Sequence, residues 1–81
     1  MLSKKVSESG LAHMGEIIPH IVQTACAYHS EITFEVDNRH VNAKSIMGVM
    51  ALASQHVQSM DVCVSGDDEA EAMEAIVGLL A

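Results

Sequence analysis

The segment Glu31-Ile32-Thr33-Phe34-Glu35-Val36 alternates strictly between polar and apolar side chains, and this constrains the fold more than any other stretch. Successive residues of a strand point to opposite faces, so Ile32, Phe34 and Val36 form one apolar row. Such a strand is half-buried, with a core on one side and water on the other. Asp37-Asn38 follows, two residue types that tolerate left-handed backbone, and Arg39-His40-Val41-Asn42-Ala43 can return as the second strand of a hairpin. A hairpin with one apolar face requires a second layer to cover it.

Helical periodicity supplies that layer. Ile18, Ile21, Val22 and Ala25 recur at helical spacing. Pro19 is tolerated only in a first turn, which places the helix start near Ile17 or Ile18. Ser45 opens a second helical pattern, Ile46, Val49, Met50 and Ala53, and is a natural N-cap. Met60, Val62 and Val64 alternate as a further strand. Gly66-Asp67-Asp68-Glu69 ends that strand and starts a last helix, with acids where the helix dipole favours them. Ala72, Met73, Ile76, Val77 and Leu80 line its buried face. Met1–Val6 reads as a short first strand, and Ser9–Gly15, bracketed by glycines, as a loop. The order βαββαβα predicts an α/β (α+β) open-faced sandwich: a four-stranded antiparallel sheet with three helices on one face. Eighty-one residues accommodate one domain over 1–81. Tyr28 and Phe34 are the only aromatics, so the core must be built from Ile, Val, Leu, Met and Ala.

Charge and composition exclude several functions. The net charge of −7, with only Lys4, Lys5, Arg39 and Lys44 as cations, argues against nucleic-acid binding. No apolar run reaches membrane-span length, and no secretory segment follows Lys4-Lys5, so a cytoplasmic protein is expected. Cys26 and Cys63 read as reduced core thiols. His13, His20, His29, His40 and His56 form no i, i+4 pair and no Cys/His cluster, and Asp67-Asp68-Glu69 lacks a calcium-loop pattern, so no metal and no cofactor are expected. No nucleophile–base pair or phosphate-binding glycine loop marks an independent enzyme.

The run Asn42-Ala43-Lys44-Ser45-Ile46-Met47-Gly48-Val49-Met50, followed by Leu52, resembles the HPr family of the sugar phosphotransferase system, which includes HPr and its regulatory relative Crh. Val22-Gln23-Thr24-Ala25 and Ser65-Gly66-Asp67-Asp68-Glu69 extend the resemblance, which runs without a gap from Val22 to Leu80. It implies that Ser45 is phosphorylated by HPr kinase/phosphorylase, at a helix start whose free N–H groups suit a phosphate, with Lys44 as a nearby cation. The alternative is that Ser45 only caps the helix. Ile46, Met47 and Met50 resemble the family's apolar docking patch; by spacing alone they could equally be core. The partner implied is a transcriptional regulator such as catabolite control protein A.

The phosphohistidine motif of that family, Gly-(Ile/Leu)-His-(Ala/Thr)-Arg-Pro-Ala, is not matched. The register carried back from Val22 puts Met14 at the His, Glu16 at the Arg and Ile17 at the Pro. Anchoring on Ser9-Gly10-Leu11 instead puts Ala12 at the His, with His13 one residue late. His13, in a loop before a helix N-terminus, is the candidate acceptor, but no Arg replaces the missing one and Glu16 would repel a phosphoryl group. Three readings follow. The first is a Crh-like regulator switched at Ser45. The second is a phosphocarrier taking a phosphoryl group from enzyme I onto His13 and passing it to enzyme IIA. The third is an interaction domain with neither phosphosite. Either a monomer or a strand-exchanged dimer is compatible with the sequence.

Overall fold

The alternating segment is a strand, with Ile32, Phe34 and Val36 buried as its period requires. In chain order the elements are β1 (Leu2–Ser7), a single 3-10 turn (Met14–Glu16), α1 (Ile18–Cys26), β2 (Glu31–Val36), β3 (Arg39–Asn42), α2 (Ile46–Ala53), β4 (Ser59–Ser65) and α3 (Glu69–Leu80). The computed structural model describes residues 1–7, 14–54 and 58–80. Most of the expected loop Ser9–Gly15, including His13, lies outside the described residues, as does His56.

The four strands form one antiparallel sheet in the order β1-β4-β2-β3. The βαββαβα order and the open-faced α+β sandwich expected from periodicity are what the chain adopts. The β2–β3 hairpin closes over Asp37-Asn38, with Asp37 at φ 55°, in the left-handed region that Asp and Asn tolerate best among non-glycine residues. β3 ends at Asn42, one residue earlier than expected. There the Asn42 Oδ1 accepts the Lys44 N–H at 2.9 Å, which turns the chain out of the sheet. The Ala43 N–H still donates to the Ile32 carbonyl at 2.9 Å.

The helices cover one sheet face. α3 packs on β4 and β1, α2 packs on β3, and α1 packs on α2 and α3. α1 and α3 bury residues of the stripes that periodicity predicts, Ile21 and Ala25 from α1 and Ala72 and Ile76 from α3. Of the pattern Ile46, Val49, Met50 and Ala53 expected for α2, Val49 is buried and Ala53 half-buried, Leu52 is buried beside them, and Ile46 and Met50 are exposed. α1 starts without a side-chain cap at Ile17; Pro19, pre-set to helical φ, stabilises the first turn instead.

The structure corrects the core placement expected of both cysteines. Cys26 is exposed and Cys63 is buried, and both are free thiols. One residue turns a helix by about 100°, so Cys26 rotates off the stripe that buries Ala25. Cys63 lies under neighbouring side chains on the sheet face opposite the helices, rather than in the core.

Candidate functional site

Ser45 stands where β3 hands over to α2. Its backbone is extended (φ −98°, ψ 114°), and its Oγ accepts the Gly48 N–H at 3.2 Å, the geometry of a working N-cap. The Ser45 N–H donates to the Asn42 carbonyl at 3.0 Å and its carbonyl accepts the Val49 N–H at 3.0 Å. The residue is held on both sides while its side chain stays exposed. By helix geometry the N–H groups of Ile46 and Met47 have no partner within α2, and no acid occupies its first turn. The hydroxyl therefore sits in positive potential with free donors beside it, which favours an anion.

Gly48 serves this geometry sterically. A Cβ at Gly48 would meet Val41 Cγ1 at 3.0 Å and Ser45 Oγ at 3.5 Å, so a side chain there would press both β3 and the capping hydroxyl. Beside Ser45 the helix displays Ile46, Met47 and Met50, which are 46%, 77% and 52% exposed. The core alternative left open by spacing is thereby settled for burial: Val49 and Leu52 face the sheet, and these three face solvent.

Lys44, expected as a cation near Ser45, has its side chain engaged elsewhere. Its Nζ donates to the Tyr28 carbonyl at 2.8 Å, so the ammonium ties the α1–β2 connection to the entry of α2. Cys26 Sγ lies 3.9 Å from the Lys44 carbonyl in the same junction.

At the other candidate site, Met14 is 3% exposed and belongs to the core. Glu16 and His20 are exposed. With Pro19 lacking an N–H and the Ile17 N–H donated to the Met14 carbonyl at 3.2 Å, the start of α1 offers few amides to an anion.

Sequence spacing missed one juxtaposition of ligand-type atoms: His29, Asp67 and Asp68 come within 4.8 Å of one another. The Asp68 carboxylate is already engaged there. Its Oδ2 accepts the His29 N–H at 2.9 Å, and its Oδ1 accepts the Ser30 N–H at 2.9 Å and the Ser30 hydroxyl. These bonds, first among them the one from the Ser30 hydroxyl, hold its carboxyl below the usual 3.8 of an aspartate. Asp68 also holds the N-cap place of α3, its carbonyl taking the Ala72 N–H at 3.0 Å. The positive end of a helix repels a cation, so this cluster reads as a clasp between two loops.

Comparison with known proteins agrees with this construction. A family model described as the PTS HPr component phosphorylation site matches residues 17–81. The HPr-like protein Crh of Halalkalibacterium halodurans is 46% identical over 59 residues, covering 73% of this chain and 70% of that protein. A crystal structure of HPr from Thermoanaerobacter tengcongensis superposes with a TM-score of 0.82 at 37% identity, covering 99% of this chain and 91% of that one. The crystal structure of Crh from Bacillus subtilis, described as a dimer with a swapping domain, gives 0.68 at 32% identity over 98% of this chain and 83% of that one. With the capped Ser45 helix on the matching open-faced sheet, these likenesses place the chain in the HPr family of the sugar phosphotransferase system.

Proposed function

We propose that this HPr-family protein is a Crh-like regulator, switched by phosphorylation at Ser45 and acting through partner binding. The observation that carries this reading is the contrast between the two acceptor positions. Ser45 is exposed at a helix N-cap beside apolar Ile46, Met47 and Met50, whereas the residue in direct register with the family's histidine is the buried Met14. A phosphate on Ser45 adds nearly two negative charges at the helix start, next to a flexible, Met-rich contact surface. The kinase is HPr kinase/phosphorylase, and the partner of the phosphorylated form is a transcriptional regulator such as catabolite control protein A. The protein would work in the cytoplasm; among the described residues no helix is long and apolar enough to cross a membrane. A strand-exchanged dimer is compatible with this role, since among the described residues β1 is an edge strand paired with β4.

Two labelling reactions test the proposal. With ATP and HPr kinase, acid-stable phosphate is expected on the wild type and absent from Ser45→Ala. With phosphoenolpyruvate and enzyme I, no label is expected. Acid-labile phosphate that disappears in His13→Ala would instead establish the carrier that passes phosphoryl groups to enzyme IIA. No label in either reaction would leave an interaction domain without phosphosites.

A further inference from the structure

The Lys and Arg residues of this chain lie away from its helices. Lys4, Lys5, Arg39 and Lys44 are all it has. Lys4 and Lys5 belong to β1 and Arg39 to β3. The 3-10 turn, α1 and α2 contain none, and the charged residues of α3 are the acids Glu69, Glu71 and Glu74. Lys44, at the entry of α2, gives its ammonium to the Tyr28 carbonyl at 2.8 Å. The helical layer therefore offers an incoming surface no basic side chain of its own.

Against that background, one side of α2 is exposed and apolar. Met50 is the i+4 neighbour of Ile46 and the i+3 neighbour of Met47, so the three exposed side chains adjoin on the helix surface. A contiguous patch of this kind marks a contact surface, where single exposed apolar residues do not. The 3-10 turn packs against α2 and buries Met14, while Glu16 on the same turn stays exposed. Among the described residues Glu16 has no ion-pair partner. Its carboxylate also stands two residues ahead of α1, where a helix dipole favours an acid. That effect acts within the free chain and sets no preference among partners.

We propose that this face docks a protein surface on which Lys or Arg side chains border an apolar pocket, and that Glu16 selects for it. The inference rests on the docking role proposed above for Ile46, Met47 and Met50, and adds the charge of what docks there. The three apolar side chains fill the pocket, and a partner cation meets Glu16 at the margin. A charge at an interface rim adds little affinity; it steers encounter and rejects surfaces of the wrong sign. An acidic docking face meets Glu16 as a like charge, with no Lys or Arg on the 3-10 turn, α1 or α2 to offset it. A basic face is drawn by Glu16 and by the net charge of −7. The same charge opposes the phosphates of nucleic acids and anionic lipids, which leaves a protein as the partner. Phosphorylation at Ser45 would sharpen the preference by adding nearly two negative charges at the start of α2.

Two synthetic amphipathic peptides are the probes, sharing one Leu stripe and carrying either Lys or Glu on the polar side. They are titrated into the isotope-labelled, unphosphorylated full chain and followed by NMR. No kinase is involved, so the outcome stands apart from the labelling of Ser45: a chain that refuses the label yet prefers the Lys peptide keeps this inference and loses the phosphoswitch. The Lys peptide is expected to shift the amide signals of Glu16, Ile46, Met47 and Met50, and the Glu peptide to shift none of them. Glu16→Gln should weaken the Lys peptide about twofold to fivefold and flatten the salt dependence of its binding. Glu16→Arg should admit the Glu peptide. A purely local role of Glu16 at the α1 start would lower the thermal midpoint and leave the peptide preference as it is. Equal affinity for the two peptides, shifts centred on Glu71 and Glu74 of α3, or Lys-peptide binding unchanged by Glu16→Arg would each overturn the proposal. The comparison of the two peptides on the wild type decides it even if a Glu16 variant fails to fold.

Discussion

Gly66 lies against the backbone of Ser30: a Cβ on Gly66 would stand 2.7 Å from Ser30 Cα and 2.9 Å from its Cβ. This close approach lets the β4–α3 turn reach the α1–β2 connection, where Asp68 receives hydrogen bonds from the backbones of His29 and Ser30 and from the Ser30 hydroxyl. Ser30 is itself buried, at 1% exposure, so its hydroxyl needs that partner. The contact and the clasp are one feature, made possible by a missing side chain.

Gly66→Ala should therefore destabilise the fold by about 2–3 kcal/mol, because the new methyl meets backbone and because φ at this position is +155°. Urea unfolding measures it as a lower midpoint. An unchanged midpoint would show that the two loops can part without cost.

Asp68 gives the fold an acid-sensitive component. Its folded carboxyl is held below the usual 3.8 by the Ser30 hydroxyl and the His29 N–H, so as pH falls the unfolded chain takes up this proton first. The stabilisation is complete above the unfolded value and is lost as pH drops through the lower, folded one. Asp68→Asn should lower stability near neutrality, and its curve should converge with that of the wild type in strong acid. Parallel stability–pH curves down to the most acidic condition would contradict this. Glu69, held below its usual 4.5 by the hydrogen bond to the N-terminal ammonium, should show the same direction of effect in Glu69→Gln.

The two roles given to Ser45 separate by mutation. Ser45→Ala should cost about 1 kcal/mol by leaving the Gly48 N–H without its cap, and should also abolish the acid-stable label. Ser45→Asp should keep most of the cap while still refusing the label. Thermal unfolding reads the first effect and kinase labelling the second.

The exposed and buried faces of α2 should respond differently. Met47→Ala should change stability by less than about 0.5 kcal/mol, given its 77% exposure, yet, on the function proposed above, weaken binding of the Ser45-phosphorylated protein to the proposed transcriptional regulator. Val49→Ala, at 0% exposure, should cost about 2 kcal/mol. Equal binding by Met47→Ala and the wild type would remove this face from the docking surface.

The amino-acid sequence by itself determined what local periodicity and local chemistry can encode. The Ile32, Phe34 and Val36 row, the Asp37-Asn38 turn, the Ser45 cap and the buried stripes of α1 and α3 all follow from residues within a few positions of one another, whose directions are set by strand or helix geometry. Only the tertiary structure decided the contacts between segments far apart in the chain. The β1-β4-β2-β3 order sets Asp61 and Cys63 beside Glu35 and His40. Packing seats Ser30 on Asp68, sends the Lys44 ammonium to the Tyr28 carbonyl, and buries Met14. None of these has a signature in spacing, because each depends on which distant surfaces close a common core. The Ser45 site is legible because its cap and its neighbours lie on one helical turn; its ties to the rest of the fold appear only once the layers pack.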